Sequence, residues 1–144
     1  MQGYNLLVVF ASDGNRVLMC RRKKEPYIGM SNFAGGKIED DESGSDAAYR
    51  ELFEETGITS DDITLRHMMD FTYYIHDCYV EVYVGRLKRD MRVTGDENRL
   101  YWSELSHNFF NLSLYAGEGN IGHIMEQVRQ HEKELFADSE PQLI

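Results

Sequence analysis

The sequence predicts a single α/β domain, and three observations carry that prediction. Runs rich in Val, Ile, Tyr and Phe, each bounded by turn residues, occupy residues 4–22 and again 63–102. Between them lies a stretch of helix formers with its own start and stop signals. Near the end, Ile121, Ile124, Met125, Val128 and Leu135 recur at helical spacing. At 144 residues the chain is one domain, long enough to bury a proper core, with no internal repeat or low-complexity tract.

Taken in order, residues 4–11 and 16–22 are apolar-rich and split by Asp13-Gly14-Asn15, which predicts a β-hairpin. Residues 23–30 contain Pro26 and Gly29 and form a loop, and residues 31–38 supply short strand pieces on either side of Gly35-Gly36. A helix follows. Ser43 and Asp46 fit the capping pattern in which a hydroxyl receives the backbone N–H three residues on, and Gly57 stops the helix as its C′ residue. Residues 63–75 and 79–87 read as long strands turning at His76-Asp77-Cys78. Residues 99–102 read as a short strand after the 94–98 turn, residues 120–135 as one amphipathic helix, and the tail from Asp138 as frayed.

Composition narrows the function. Hydrophobic content of 42% and charged content of 28% are ordinary for a soluble domain, and no run approaches the roughly 18 apolar residues of a membrane span. No Lys or Arg precedes the apolar stretch at residues 6–11, and a turn follows it, so it reads as a strand and not a signal peptide. Cys20 and Cys78 lie in no metal-ligand spacing and read as two free thiols in a reducing cytoplasm. A net charge of −10 argues against duplex nucleic acid as a partner. It does not exclude a small phosphorylated substrate, because a bound metal inverts the field of an acidic site.

The chemistry concentrates on the first helix. With about 100° of turn per residue, Glu51, Glu54, Glu55 and Ala47 share one arc, and Ala48, Tyr49, Leu52 and Phe53 take the opposite side. The small Ala47 is expected to leave room beside the acidic stripe. Three carboxylates this close repel one another, and a divalent cation removes that repulsion. Hard oxygen ligands suit Mg²⁺ or Mn²⁺. An acidic helix face by itself is usually no more than solvated. Here its surroundings decide otherwise.

Gly36, Glu42, Arg50, Glu51, Leu52, Glu54, Glu55, Gly57 and Ile58 resemble, at every defined position, the Nudix box of the Nudix hydrolases. The box spans residues 36–58, and the resemblance extends over about residues 3–135 of a chain taken as one Nudix domain, 1–144. One departure is Ala34, where many members place Pro. The resemblance implies an α/β/α sandwich with a mixed sheet and hydrolysis of a nucleoside diphosphate linked to another group. It implies that Glu51, Glu54 and Glu55 hold Mg²⁺, or Mn²⁺, with the Gly35 carbonyl as an added ligand. Either Glu51 or a carboxylate outside the box, with Glu97 the candidate, would take the proton from water. Arg50 would orient Glu51 or pair with Glu42, which would be structural. Gly36 would allow close approach, and Gly57 would end the helix.

Outside the box the readings stay open. Glu97 is either a further ligand or base, or a solvated turn residue. Arg21 and Arg22 belong to a charge run that either closes the hairpin or contacts phosphate. Asn111 either reads a base or sits in an ordinary loop. Tyr73, Tyr74, Tyr79 and Tyr83 on the predicted strands are mostly packing, with one of them open to stacking on a base, and the histidines are structural. An intact box favours an enzyme over a nucleotide sensor of the same fold. The substrate expected is a nucleoside triphosphate, including oxidised dGTP, split to the monophosphate and pyrophosphate. A dinucleoside polyphosphate is the alternative, with Tyr74 as its weak signal. The Pro of the ADP-ribose subgroup is missing, since the only prolines are Pro26 and Pro141. Exposed strand edges are compatible with a homodimer.

Overall fold

A computed structural model of the chain describes residues 1–93 and 99–137. The first hairpin forms as expected, from β1 (Gln2–Phe10) and β2 (Arg16–Arg21), with Phe10 opposite Val17 at its closed end. Further from the turn the two strands part. Tyr4 and Leu7 of β1 face Lys37 and Ala34 in isolated antiparallel bridges, so the segment around Gly35-Gly36 fills the gap as a strand fragment. The backbone bonds Leu7 N–H to Ala34 O (2.8 Å), Asn5 N–H to Gly36 O (2.9 Å) and Ile38 N–H to Gly3 O (2.9 Å) hold it there. The close fit needs Gly35: at φ 153° a Cβ there would lie 2.0 Å from the Asn5 carbonyl oxygen.

β3 (Ser31–Asn32) joins β2, as does β6 (Arg99–Glu104), which pairs along the whole of β2. β4 (Arg66–Tyr73) and β5 (Cys78–Arg86) form the second hairpin, with a bulge between His67 and Met69. β5 runs parallel to β1 from Gln2 opposite Cys78 to Phe10 opposite Arg86. One parallel pair among antiparallel ones makes the sheet mixed, in the order β3-β2-β1-β5-β4, with β6 off that path on β2.

Alternation along the strands gives each face its own core. Leu7, Val9, Leu18 and Tyr83 lie on one face under Ala48 and Leu52 of α1 (Gly44–Thr56). Val8, Phe10, Val17, Met19, Val82 and Val84 lie on the other, against Ile121, Ile124 and Val128 of α2 (Asn120–Gln130). Helices cover both faces of the sheet. Each fully buried Leu, Ile or Val contributes roughly 1.5–3 kcal/mol of apolar burial.

Two expectations are corrected. The terminal helix is not continuous: α2 stops at Gln130, His131 leaves helical geometry at φ −119° and ψ 22°, and a short α3 (Glu132–Leu135) follows. On α1, Phe53 is not a core residue but 57% exposed, whereas Ala47 is fully buried. The helix turns its Ala47, Ala48, Leu52 and Thr56 arc to the sheet. Ala47 therefore belongs to the buried face of the helix and not to an open acidic stripe. Glu51 and Glu55 fall within that inward arc and are half-buried, and only Glu54 points outward. The expected tail from Asp138 and the 94–98 turn, with Glu97, lie outside the described residues.

Candidate active site

The ends of α1 are set as the sequence required. Ser43 Oγ accepts the Asp46 N–H (3.1 Å), and Gly57, left-handed at φ 80°, donates its N–H to the Phe53 carbonyl (2.9 Å). The caps fix where the helix starts and stops; its packing on the sheet brings Glu51 and Glu55 against the Gly35-Gly36 segment. A Cβ on Gly36 would lie 2.5 Å from the Glu51 carboxylate, so glycine makes the cradle in which that carboxylate sits. Glu55 Oε2 accepts the Gly35 N–H at 3.1 Å.

Arg50 ties these groups together. Its Nε and Nη2 donate to both oxygens of Glu42 (2.9 and 2.6 Å), and Nη2 also reaches the Lys37 carbonyl at 3.0 Å. Nη1 donates to Glu51 Oε1 and to Glu54 Oε2, each at 3.1 Å. Of the two roles the sequence left open, orienting Glu51 and pairing with Glu42, this one guanidinium has the geometry for both. The bidentate bond from Arg50, helped by the Glu39 N–H, holds the Glu42 carboxyl down at about 2. The same fork to Glu42 raises Arg50 further above its ordinary value. Glu51 moves the other way: burial pushes its carboxyl above the ordinary value, and Arg50 only partly offsets that.

The three helix glutamates thus arrive by different routes, two on Arg50 and one on Gly35. They do not converge within 4.8 Å; among the described residues that spacing is met by His67, Asp70 and Glu81. Both sets lie on the α1 side of the sheet, where Tyr83 donates to Glu81 (2.7 Å) and stacks on His67. The donor chemistry at the helix fits a hard dication: carboxylates only, one of them raised by burial and seated in a cradle without a Cβ. In that set His67 Nε2 lies 2.5 Å from Asp70 Oδ1, and Glu81 is held separately, by the Tyr83 hydroxyl.

Beside the Gly35-Gly36 segment opens a cavity of about 420 Å³. Glu55, Gly35 and Gly36 form one edge, so cavity and box share residues. The opposite wall comes from the 23–30 loop, the β4–β5 turn and the start of α2, where Tyr27 donates to Glu118 (2.5 Å) and Asn120 to Tyr73. Of the three residues expected to touch substrate, Arg22 lines this cavity, its Nε held by the Pro26 carbonyl at 2.7 Å. Arg21, on the other side of β2, does not line it: its guanidinium lies over the Tyr101 ring at 5.6 Å. Asn111 does not line it either. Its Oδ1 accepts from Ser113 N (3.0 Å) and Ser113 Oγ (2.7 Å), an Asx turn that stabilises its own loop.

Asn5, Asn32, Tyr27 and Glu118, all on the cavity wall, were missed from the sequence, whereas Tyr73, also on that wall, was one of the strand tyrosines open to stacking on a base. They come from separate segments and share no spacing. Asn5 alone left a trace, as a polar residue inside an apolar strand.

With that geometry in view, comparison with known proteins is direct. The NUDIX domain profile matches residues 1–116. The chain belongs to the NUDIX domain family. A curated relative, the CTP pyrophosphohydrolase of Escherichia coli strain K12, is 33% identical over 85 residues, covering 56% of this chain and 63% of that protein. The chain therefore matches less than two thirds of that relative's length. Solved structures share the fold. A Caenorhabditis elegans Ap4A hydrolase superposes with a TM-score of 0.74 at 18% identity, over 93% of this chain and 99% of that one. A MutT protein studied from Aliivibrio salmonicida and Vibrio cholerae gives 0.68 at 22%, over 90% and 98%. No helix among the described residues is long and apolar enough to cross a membrane, and Cys20 and Cys78 are both free thiols.

Proposed function

We propose that this NUDIX domain hydrolyses a phosphoanhydride bond in a nucleoside diphosphate linked to a further group, with Mg²⁺ or Mn²⁺. The preferred substrate is a nucleoside triphosphate, oxidised dGTP included, which yields the monophosphate and pyrophosphate. The observation that carries the proposal is the shared edge between box and cavity. Glu55 and Gly36 belong to both, with Gly35 adjoining them, so a nucleotide in the cavity has its phosphates beside the helix carboxylates. The CTP pyrophosphohydrolase relative supports the triphosphate reading.

Glu51, Glu54 and Glu55 would hold the cation, with the Gly35 carbonyl as a further ligand. Bound there, such a cation would supply charge neutralisation at the non-bridging phosphate oxygens. Arg50 keeps Glu51 and Glu54 oriented, and Arg22 faces the nucleotide from the cavity wall. Water adds to one phosphorus, the bridging P–O bond breaks, and the proton passes to Glu51 or to Glu97. The leaving phosphate takes the bonding electron pair.

The test is a panel of nucleotides, oxidised dGTP and a dinucleoside polyphosphate among them, with Mg²⁺ and product identification. Monophosphate plus pyrophosphate from a triphosphate supports the reading. Turnover of dinucleoside polyphosphates alone would install the alternative, although Tyr74, its only sequence signal, is 81% exposed and does not line the cavity. Binding without any product at saturating metal would indicate a sensor. The protein acts as a small-molecule enzyme of the cytoplasm under this proposal, and sedimentation decides whether it works as a homodimer.

A further inference from the structure

Asn5 is the one described residue with a buried side-chain polar atom that lacks a protein partner. The residue is 2% exposed, it lines the cavity, and its Nδ2 finds no acceptor. Its orientation is fixed, because Oδ1 accepts the Gly36 N–H at 3.0 Å and only the amide nitrogen is left over. An unmet buried donor costs on the order of 1–3 kcal/mol. A strand interior that needed only packing would be filled more stably by Leu or Val at this position.

We propose that Asn5 is a base-reading residue whose Nδ2 donates to a carbonyl oxygen of the nucleobase, favouring guanine, cytosine and uracil nucleotides over adenine nucleotides. This rests on the nucleotide reading given above. Gly36 divides the two ends of the substrate: Glu51 lies where its Cβ would be, and Asn5 takes its N–H. The phosphates belong on the Glu51 side. On the cavity side, Leu6, Phe33, Val80 and Ile121 supply apolar walls and Tyr73 an aromatic one, which suits a flat heterocycle. Glu118 on that wall opposes a phosphate there. A neutral amide meets a neutral carbonyl without burying charge. Adenine carries no exocyclic oxygen, whereas the other bases do.

The test is calorimetry of the metal-free protein with GMP, CMP, UMP and AMP, run alongside hydrolysis of the four triphosphates. In the wild type at least one carbonyl-bearing monophosphate should bind about ten-fold tighter than AMP. Asn5→Asp retains the Oδ1 acceptor for Gly36 and replaces the donor with an oxygen, so it should narrow that ratio about ten-fold. Asn5→Leu serves as the second variant, with the same narrowing expected. Tightest binding of AMP by the wild type overturns the proposal even if neither variant folds. Equal weakening of all four nucleotides in Asn5→Asp also overturns it, leaving Asn5 as a support for the Gly36 segment. Should the wild type hydrolyse none of the four triphosphates, the triphosphatase reading fails, and the binding ratios still decide the role of Asn5.

Discussion

Gly36 and Glu51 are a matched pair: a Cβ on the glycine would stand 2.5 Å from the carboxylate carbon of the glutamate. The box therefore needs glycine at this position because a Cβ would take the space that the glutamate carboxylate fills. The obstacle to any larger residue is the end of a flexible side chain, so the site should suffer more than the fold.

Gly36→Ala is expected to leave the melting temperature within a few degrees of wild type and to lower kcat about a hundred-fold, because displacing a reacting group by about 1 Å has that effect. Thermal unfolding and steady-state kinetics on the same preparation check both halves. An active Gly36→Ala enzyme would mean that Glu51 tolerates displacement.

Glu54 is exposed, and its only described partner is Arg50. Glu54→Gln should therefore fold normally while losing metal-dependent hydrolysis by orders of magnitude, since an amide is a poor ligand for a hard dication. Near-normal turnover in this variant would remove Glu54 from the metal set.

Arg50 meets Glu42 with a planar fork that lysine cannot reproduce. Arg50→Lys keeps the charge but should cost roughly 1–2 kcal/mol of stability and lower kcat at least ten-fold. Denaturant unfolding measures the first. Unchanged kcat would show that Arg50 supports the loop around Glu42 and does not orient Glu51.

Two carboxyls of the box respond to pH with opposite sign. Glu42 has a folded value near 2, below its ordinary 4.5, so its contribution to stability is fully present above about 4.5 and lost as pH falls toward 2. Glu42→Gln should flatten that part of the acid-unfolding profile. The Glu51 carboxyl is raised by burial, so its ionised form destabilises the metal-free fold above its ordinary value. Glu51→Gln is therefore expected to melt higher than wild type at neutral pH without metal while losing activity. A lower melting point would show that the Arg50 bond outweighs burial at this site.

Local signals in the sequence determined the hairpin, the capped first helix, both long strands and the identity of the box. A cap hydroxyl, a left-handed glycine and an alternating strand act over a few residues, and their spacing is written in the chain. The rotation of α1 was not: Phe53 has a core residue's chemistry, yet the helix buries Ala47 and Thr56 in preference, because Glu51 and Glu55 must face Gly35-Gly36. The break at His131 and the cavity itself also depended on tertiary packing. Asn5, Tyr27, Tyr73 and Glu118 meet only because β1 parts from β2 and admits a strand fragment between them. Such an encounter depends on contacts between distant segments, which no periodicity within a single segment encodes.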